Sequence, residues 1–303
     1  MTDSTLDLVV NPATGWSRGS RLTDLQRRLT TSGTEVEVHE PASRADAAEL
    51  LQRLAAASRP TAVVGGDGTV HLAVGAFTGR STPLGIIAGG TGNDFAREVG
   101  LDRSSDTEVH LARLAGPALD VDVLEIRSSA MSGGPRRVAS VATVGFSVDV
   151  NERAERMRFV RGSSRYTLAT LLEAPRLQAR EIEVTIDGHV SSRQAVLVAI
   201  ANTCAFGGGM RIAPDADPTD GRADVVVIGE VGRLELLRLL PTVFSGKHVE
   251  HPAVSVHRGA HIELRSDSLL RIRGDGEFVA DLPVEIDVLP GALRLLGAGT
   301  SPR

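Results

Sequence analysis

The chain of 303 residues has very little cysteine and lysine, and each scarcity excludes a class of protein. Cys204 is the single cysteine, so a disulfide framework is excluded and a reducing compartment is expected. Lys247 is the only lysine, so the glycine-rich turns of the chain lack the lysine of a P-loop, and no strand lysine of the protein-kinase type exists. P-loop NTPases and protein kinases are therefore poor interpretations.

Long apolar runs and basic tracts are also missing. No apolar run approaches the roughly 20 residues of a membrane-spanning helix, and residues 1–7 lack the basic start and apolar core of a signal peptide. The net charge of −5, without a basic tail, gives no electrostatic reason to expect nucleic acid. These absences predict a cytoplasmic globular protein that contacts a membrane at most peripherally.

Two glycine-rich turns stand out against this background. Residues 65–69 read Gly-Gly-Asp-Gly-Thr, and residues 89–97 read Gly-Gly-Thr-Gly-Asn-Asp-Phe-Ala-Arg. Each turn follows a short apolar strand pattern and opens a predicted helix, which places backbone N–H groups at the positive end of a helix dipole. Such an arrangement is typical of a phosphate site. A purely structural turn is the alternative for either segment.

Asp67 lies inside the first turn, where a carboxylate would repel a bare phosphate. Its presence is expected if a divalent cation lies between the carboxylate and the phosphates. In this interpretation the N–H groups of Gly66 and Gly68 and the hydroxyl of Thr69 bind phosphate oxygens. The segment 11–15, Asn-Pro-Ala-Thr-Gly, ends the first predicted strand and would form a third wall. The turns therefore predict a nucleotide with its Mg²⁺.

The chain shows two successive patterns. Up to residue 126, strand and helix patterns alternate, which predicts an α/β domain with a parallel sheet and right-handed crossovers. After residue 126, strand patterns dominate and predict an antiparallel β-sandwich, with a hairpin turn at Asp187-Gly188. The predicted domains are therefore 1–126 and 127–288.

Two later acidic positions are candidates for chemistry. Asp275 lies between two glycines in a predicted hairpin turn. Phosphoryl transfer to an alcohol needs a carboxylate that accepts the hydroxyl proton, and flanking glycines would let a substrate approach this one. Glu277 would orient that base or share in metal binding. Asp220 would bind a cation or cap a turn.

A group of arginines surrounds apolar residues in the second half of the chain. A solvated helix face is the plain interpretation, and a basic surface that contacts anionic lipid headgroups is the alternative. The apolar helix pattern over residues 234–244 either packs inward or lines a lipid cleft. The arginines are Arg153, Arg156, Arg158, Arg161 and Arg165.

Taken together, these motifs resemble the diacylglycerol kinase catalytic family, specifically its soluble bacterial lipid kinases. Sphingosine and ceramide kinases are distant members of the same family. The resemblance follows the family's order over nearly the whole chain. It is carried by Asn11-Pro12, by Gly65-Gly66-Asp67-Gly68-Thr69, by residues 90–97, by Gly145-Phe146, by Asn202 with Phe206-Gly207-Gly208, by Asp220-Gly221 and by Asp275-Gly276-Glu277.

The resemblance implies an ATP-dependent kinase that phosphorylates a lipid hydroxyl, with diacylglycerol as the default acceptor. It implies an α/β nucleotide domain, a β-sandwich domain, an active site in the cleft between them, and a segment 289–303 that returns to the first domain. By that likeness Asp67 belongs to the Mg·ATP network, and Asp275 is the general base. Asp120 joins the carboxylate network, with Asp122 as the alternative.

The candidate residues follow from the motifs and the resemblance together. The predicted catalytic residues are Asp275, Glu277 and Asp67, and the predicted metal ligands are Asp67, Asp120 and Asp220. The predicted nucleotide contacts are Asn11, Thr14, Gly65, Gly66, Asp67, Gly68, Thr69, Gly90, Thr91, Gly92, Asn93, Asp94 and Arg97. Without a nearby lysine, charge neutralisation is assigned to Mg²⁺, backbone dipoles and Arg18 or Arg97. Residues 41–44 lack the threonine that the family commonly uses as a phosphate contact.

Three alternatives stay open at this point. The first is an NAD kinase-like enzyme, which shares the Gly-Gly-Asp-Gly-Thr turn. The second is a kinase of a sphingoid base or another lipid alcohol. The third is a catalytically silent nucleotide-binding regulator. A homodimer is also left open, because the sequence carries no sign of the oligomeric state.

Overall fold

The computed structural model describes residues 4–16, 19–129, 131, 134–157 and 164–299. It divides into two compact units. The first unit comprises Met1–Val121 with Gly291–Arg303, and the second comprises Asp122–Pro290. In the part of the chain that is described, every helix is too short or too polar to cross a lipid bilayer.

The first unit alternates strands with helices. Its elements are β1 (Ser4–Val10), α1 (Ser20–Thr31), β2 (Thr34–His39), α2 (Arg44–Ala56), β3 (Thr61–Gly65), α3 (Asp67–Phe77), β4 (Leu84–Ala88), α4 (Asp94–Glu98) and α5 (Thr107–Leu114), followed by the start of β5 (Ala118–Arg127). The strands lie in the order β2–β1–β3–β4, and each neighbouring pair is parallel. The predicted α/β architecture with a parallel sheet is confirmed.

The hydrophobic pattern explains why this sheet forms. Every residue of β3 and β4 is buried, as expected for central strands that are covered by helices on both faces. Leu25 of α1 packs against Leu8, Val64 and Ile87 in one core cluster. Because the strands are parallel, their carboxyl ends lie at one edge of the sheet, and both glycine-rich turns leave the sheet there.

The second unit is dominated by antiparallel strands. Its elements are the end of β5, then β6 (Arg136–Val138), β7 (Val141–Gly145), α6 (Phe146–Arg156), α7 (Ser164–Glu173), β8 (Arg180–Ile186), β9 (His189–Ala201), β10 (Ala223–Gly229), α8 (Arg233–Ser245), β11 (Val254–Gly259), β12 (His261–Arg265), β13 (Arg271–Gly274), β14 (Glu277–Asp281) and the greater part of β15 (Val284–Leu296). The predicted hairpin at Asp187-Gly188 is confirmed, since both residues have positive φ and Ile186 pairs with His189.

The long strand β9 separates two cores of this unit. Its Val198 and Ile200 lie in a cluster formed by the strands, together with Ile262 and Ile286. Its alternate residues, such as Ala199, lie in a second cluster to which α6, α7 and α8 contribute. Opposite faces of a strand thus carry the two cores, as its period of two residues requires. The predicted antiparallel domain is confirmed, with one sheet face covered by helices.

Candidate active site

A cavity of about 590 Å³ lies at the carboxyl edge of the parallel sheet. Four segments that follow consecutive strands of the sheet surround it, which is where ligands bind in open α/β sheets. Its lining includes Asn11, Pro12 and Ala13 after β1, Pro41, Ala42, Ser43 and Arg44 after β2, Gly66, Asp67, Gly68 and Thr69 after β3, and Gly90, Thr91 and Gly92 after β4. The structure therefore brings the three predicted walls together and adds a fourth.

The glycines of the two turns are needed for close packing of one turn against the other. A Cβ atom on Gly90 would lie 2.5 Å from Cα of Gly66, and a Cβ atom on Gly92 would lie 2.4 Å from Oδ2 of Asp67. Such distances are shorter than any van der Waals contact, so a side chain at Gly90 would force the turns apart and one at Gly92 would displace the Asp67 carboxylate. The cavity wall thus depends on glycine before any ligand is considered.

The carboxylate of Asp67 connects the two turns. Its Oδ2 accepts a hydrogen bond from the backbone N–H of Asn93 at 2.9 Å, and its Oδ1 accepts one from the backbone N–H of Asp94 at 2.7 Å. These N–H groups belong to the start of α4, where a negative charge is favourable. Asp67 also lines the cavity, and a carboxylate is among the ligands that Mg²⁺ takes in proteins.

Asn93 shapes the second turn with both ends of its amide. Its Oδ1 accepts from the N–H of Gly90 and its Nδ2 donates to the carbonyl of Gly90, each at 2.9 Å. The side chain is buried, and the backbone has a φ of 56°, a left-handed conformation that asparagine tolerates better than most residues. Asn93 is a predicted nucleotide contact, but its side chain is already hydrogen-bonded to Gly90 within the turn.

Other predicted contacts are engaged in hydrogen bonds within the second turn and within the segment that follows β1. Arg97 donates to the carbonyl of Gly92 at 2.6 Å and pairs with Asp94 at 3.1 Å. The Thr14 hydroxyl donates to the carbonyl of Asn11 at 2.8 Å. Among the described residues, the predicted contacts outside the cavity lining are Thr14, Gly65, Asn93, Asp94 and Arg97.

The side chains of Asn11 and Thr69 are joined within the lining. Nδ2 of Asn11 donates to Oγ1 of Thr69 at 3.0 Å, and Oδ1 of Asn11 accepts from the N–H of Ala13 at 2.9 Å. Because the Thr69 hydroxyl accepts from Asn11, its own proton is directed to another acceptor. This arrangement suits the predicted role of Thr69 as a donor to a phosphate oxygen.

Arg44 is a cavity residue that the sequence analysis missed. It is the first residue of α2, whose N-cap Ser43 accepts from the N–H of Asp46 at 3.1 Å. The residues expected from the sequence to supply positive charge are Arg18 and Arg97. Arg18 lies outside the described residues, and Arg97 binds the second turn. The available signal was the position of Arg44 just past the carboxyl end of β2, at the ligand-binding edge of the sheet.

In the second unit, Asp275 lies in the turn between β13 and β14 with a φ of 51°. Its Oδ2 accepts from the N–H of Ala139 at 2.9 Å, and its Oδ1 accepts from the N–H of Ser140 at 2.9 Å and from the Ser140 hydroxyl. Gly274 packs tightly before it, because a Cβ atom there would lie 2.3 Å from Cγ2 of Val138. The carboxylate of Asp275 is therefore held in one orientation. Glu277, at the start of β14, is half-buried.

Asn202 organises the same region of the second unit. Its buried Nδ2 donates to the carbonyls of Asp122 and Ala139, each at 2.8 Å, so it joins the end of β5 to the segment that holds Asp275. The sequence analysis noted Asn202 as part of the family resemblance but gave it no role. The available signal was the position of Asn202 directly after an apolar strand pattern. An asparagine that is buried there needs fixed partners for its amide.

The two remaining predicted metal ligands are engaged in ion pairs. Asp220 pairs with Arg258, which also binds the buried Asp224 at 3.0 Å. Burial raises the pKa of Asp224, against the opposing effect of Arg258. In the first unit, Asp120 pairs with Arg294 at 3.0 Å, and its side chain is 57% exposed. Each of these predicted ligands thus has a guanidinium as its observed partner.

Asp122 differs from Asp120 in its surroundings. It is buried, and its Oδ2 accepts from the N–H of Gly221 at 2.7 Å. Its own N–H donates to the carbonyl of Pro218 at 2.7 Å. These bonds attach Asp122 to the loop that carries Asp220.

A group with metal-like spacing lies in β1 and β2. Ligand atoms of Asp7, Glu37 and His39 are within 4.8 Å of one another. Arg59 donates to Asp7 at 2.6 and 2.9 Å and to Glu37 at 2.7 Å. A guanidinium therefore already balances these carboxylates, and the group is a structural ion-pair network.

The group of arginines noted in the second half of the chain is described only in part. Arg153 pairs with Glu173, and Arg156 lies 3.9 Å from Glu152. Arg158 and Arg161 lie outside the described residues. The described side chains of Arg153 and Arg156 are thus paired with carboxylates, as the plain interpretation of a solvated helix face allows, and the basic surface stays an alternative.

Comparison with known proteins agrees with both units. Residues 5–126 match the diacylglycerol kinase catalytic domain, and residues 140–297 match the YegS C-terminal NAD kinase beta sandwich-like domain. A diacylglycerol kinase of Mycobacterium tuberculosis (strain H37Rv) is 35% identical over 271 residues, covering 89% of this chain and 87% of that protein. A diacylglycerol kinase of Bacillus subtilis is 24% identical over 286 residues, covering 92% and 91%.

The fold is also shared with a solved protein. A crystal structure from Bacillus anthracis matches with a TM-score of 0.78 at 23% identity and covers 97% of both chains. At this identity the match shows the fold alone. The family matches, together with the relative at 35% identity, confirm the function expected from the motifs. The chain therefore belongs to the diacylglycerol kinase catalytic-domain family and is an ATP-dependent lipid kinase.

Proposed function

We propose that this kinase transfers the γ-phosphoryl group of Mg·ATP to diacylglycerol and produces phosphatidic acid. The observation that carries the proposal is the cavity in which Asp67 and both glycine-rich turns converge. The acceptor is supported by the relatives of Mycobacterium tuberculosis and Bacillus subtilis, each of which is named a diacylglycerol kinase. We place the enzyme in the cytoplasm, where it meets its lipid at a membrane surface.

The nucleotide end of the site follows from the cavity. The N–H groups of Gly66 and Gly68 and the hydroxyl of Thr69 bind phosphate oxygens, and Arg44 supplies a side-chain positive charge. The cavity fits Mg²⁺, because it combines a carboxylate, Asp67, with a backbone cradle that a Cβ atom would fill. When bound, Mg²⁺ neutralises charge on the phosphates.

Asp275 is the proposed general base for the acceptor hydroxyl. Its carboxylate takes the proton of the lipid hydroxyl, whose oxygen forms a bond to the γ-phosphorus while the bond to the bridging oxygen of ADP breaks. Support comes from the way Ala139 and Ser140 hold this carboxylate, since a general base must be fixed in orientation. Glu277, two residues on, is proposed to assist it.

The roles of the two parts of the chain follow from these assignments. Residues 1–126, with the returning segment 289–303, bind the nucleotide, and residues 127–288 bind the lipid. Asp122 and Asp220, which both belong to the second compact unit, are proposed to shape its carboxylate network. Asp120 is left out of this network, because it is exposed and paired with Arg294.

The test is a kinase assay with a panel of acceptors. Purified protein is incubated with Mg²⁺ and labelled ATP in the presence of diacylglycerol, phosphatidylglycerol, sphingosine, undecaprenol or NAD, and products are identified by mass spectrometry. Labelled phosphatidic acid as the dominant product, abolished by EDTA, supports the proposal. A preference for any other acceptor overturns the assignment of diacylglycerol, and labelled NADP would point to the NAD kinase-like alternative.

The Asp275→Asn variant tests the base separately from the acceptor. Loss of a general base lowers turnover by about 10²- to 10⁴-fold while ATP still binds. The matched control is Asp281→Asn, at the end of the same hairpin, where the side chain is 43% exposed. Wild-type turnover of Asp275→Asn would remove Asp275 from the mechanism.

A further inference from the structure

Helix α8 carries apolar side chains on two opposite faces. Leu236, Leu239 and Val243 are buried in the core cluster beneath the helix. On the other side, Leu234 is 71% exposed and Phe244 is 41% exposed. A surface helix normally has one apolar stripe and one polar face, so the outer stripe of α8 has no explanation in the packing of the unit.

The exposed apolar residues form one continuous stripe. At about 100° per residue, Leu234, Leu237, Pro241 and Phe244 fall within an arc of about 80° on the helix surface. Arg233 lies just beyond one edge of this arc, and Arg238 lies beyond the other. The stripe is therefore flanked by positive charge on both sides.

The same helix borders a wide cleft. The cleft has a volume of about 860 Å³, and its lining includes the basic residues Arg233, Arg238, Lys247 and His251 and the acidic residues Glu235 and Glu250. Glu235 is already engaged, because its carboxylate accepts from the N–H of Gly232 at 3.1 Å and lies 3.3 Å from the His251 ring. The only lysine of the chain lies in this lining.

We propose that the outer face of α8, with Arg233, Arg238 and Lys247, docks the enzyme on the surface of an anionic phospholipid bilayer. The apolar stripe enters the boundary between headgroups and acyl chains, and the cations contact the lipid phosphates. The inference rests on the proposed function, because a kinase of a membrane lipid must reach that lipid at a bilayer.

Charge complementarity selects this occupant. The protein has a net charge of −5, so general electrostatic attraction to an anionic bilayer is absent, and a local group of cations around apolar side chains is needed. Nucleic acid would be attracted to the cations, but an exposed leucine and phenylalanine stripe offers it no stacking platform of the usual kind. An anionic bilayer can bind both the apolar stripe and the flanking cations of α8.

The test measures vesicle binding by the full chain in the absence of ATP and diacylglycerol, so the result does not depend on turnover or on the identity of the acceptor. Phosphatidylcholine vesicles with and without phosphatidylglycerol are sedimented with wild-type protein and variants. Because each Lys or Arg near an anionic surface contributes about fivefold, Arg233→Gln/Arg238→Gln should weaken partitioning about 25-fold. Leu234→Gln should weaken it about tenfold.

Matched controls come from exposed strands of the same unit. Arg136→Gln/Arg193→Gln removes the same charge elsewhere, and Val190→Gln removes an apolar residue that is 64% exposed. Both control proteins should bind as wild type does. Equal losses in the control and α8 variants would overturn the proposal, as would failure of the wild type to prefer anionic vesicles.

A second measurement reports on the helix itself. Trp16 is the only tryptophan and is 4% exposed in the first unit, so Phe244→Trp places a reporter on the stripe over a constant background. On vesicles with brominated lipids, fluorescence from position 244 should be quenched, whereas that of Trp16 in the parent protein should not. Unquenched fluorescence of bound Phe244→Trp protein would show that another surface docks.

Discussion

The backbone N–H of Asp94 donates a hydrogen bond of 2.7 Å to the carboxylate of Asp67. The first glycine-rich turn thereby caps the helix that the second turn opens, with a second bond of 2.9 Å from the N–H of Asn93. The residue expected to serve Mg·ATP is thus also the residue that holds the cavity together. A substitution at Asp67 should affect folding and turnover together.

The first prediction concerns Asp67→Asn. The carboxylate of Asp67 accepts from two backbone N–H groups, those of Asn93 and Asp94. The amide of asparagine has one oxygen that can accept, so its NH₂ group would face the other N–H donor. We expect the free energy of unfolding to fall by about 2 kcal/mol, and kinase activity to be lost. Urea unfolding and the phosphatidic acid assay measure the two effects.

The control for Asp67 is another helix-capping carboxylate of the first unit. Asp106 accepts from the N–H of Glu108 at 2.9 Å at the start of α5. Asp106→Asn should leave activity unchanged and cost little stability, because asparagine is an equally good N-cap. Full stability of Asp67→Asn would show that its bonds to Asn93 and Asp94 do not hold the turns together.

The second prediction concerns Gly90→Ala. The added Cβ would lie 2.5 Å from Cα of Gly66, so the turns must separate and the phosphate cradle widens. We expect a loss of about 1–3 kcal/mol in stability, and a KM for ATP raised at least tenfold. Gly75→Ala is the control, because no atom lies within 4 Å of a Cβ there and alanine favours the interior of α3. If Gly90→Ala behaves like Gly75→Ala, the packing argument is wrong.

The third prediction concerns Arg44→Gln. A guanidinium in the cavity lining should bind phosphate oxygens by charge-assisted hydrogen bonds, each contributing about 1.5–3 kcal/mol. The KM for ATP should therefore rise at least tenfold, with a smaller change in kcat. Arg53→Gln is the control, since Arg53 is exposed near the other end of α2. Identical ATP kinetics in both variants would exclude Arg44 from nucleotide binding.

The fourth prediction concerns Ser140→Ala. The Ser140 hydroxyl donates to Oδ1 of Asp275, while its N–H and that of Ala139 hold the carboxylate through the backbone. Removing the hydroxyl leaves the backbone bonds and loosens the proposed base, so kcat should fall about tenfold without a change in the KM for ATP. Ser191→Ala, which removes a hydroxyl bonded to the carbonyl of Val184, should leave kcat unchanged. An equal fall in the control would assign the effect to general destabilisation.

The parallel sheet and the meeting of the turns could be predicted from the sequence because local pattern decides both. Residues 61–65 and 84–88 are apolar throughout, as buried parallel strands require. The carboxyl ends of parallel strands share an edge, so turns that follow such strands converge. Both rules use only the type and order of residues.

The sequence could not decide which side chains enter the cavity. Asp120 and Asp122 lie on the same face of a strand by period, yet Asp120 is exposed and Asp122 is buried beneath the loop that carries Asp220. Asn93 belongs to the same motif as several cavity residues, but both ends of its amide are hydrogen-bonded to the backbone of Gly90. Tertiary contacts decide these outcomes, and no local pattern encodes them.

The last prediction concerns acid sensitivity, which two buried histidines should impose. His110 and His248 are fully buried, and burial lowers the pKa of each. Nε2 of His110 is hydrogen-bonded to the carbonyl of Ser104 at 3.2 Å, and Nε2 of His248 to the carbonyl of Ile212 at 3.0 Å. Nδ1 of each ring has no partner among the described residues. Protonation would therefore bury an unpaired N–H together with a charge.

The direction of the pH dependence follows from the linkage between proton binding and folding. The folded state binds a proton more weakly than the unfolded state, whose histidine pKa is about 6.5, so the stabilisation is complete above about pH 6.5 and is lost as the pH falls below it. Each histidine contributes a slope of at most about 1.4 kcal/mol per pH unit. His248→Gln should flatten the fall in unfolding free energy between about pH 5 and 6.5, as measured by urea titration. An unchanged slope in His248→Gln would show that His248 is not the group that titrates.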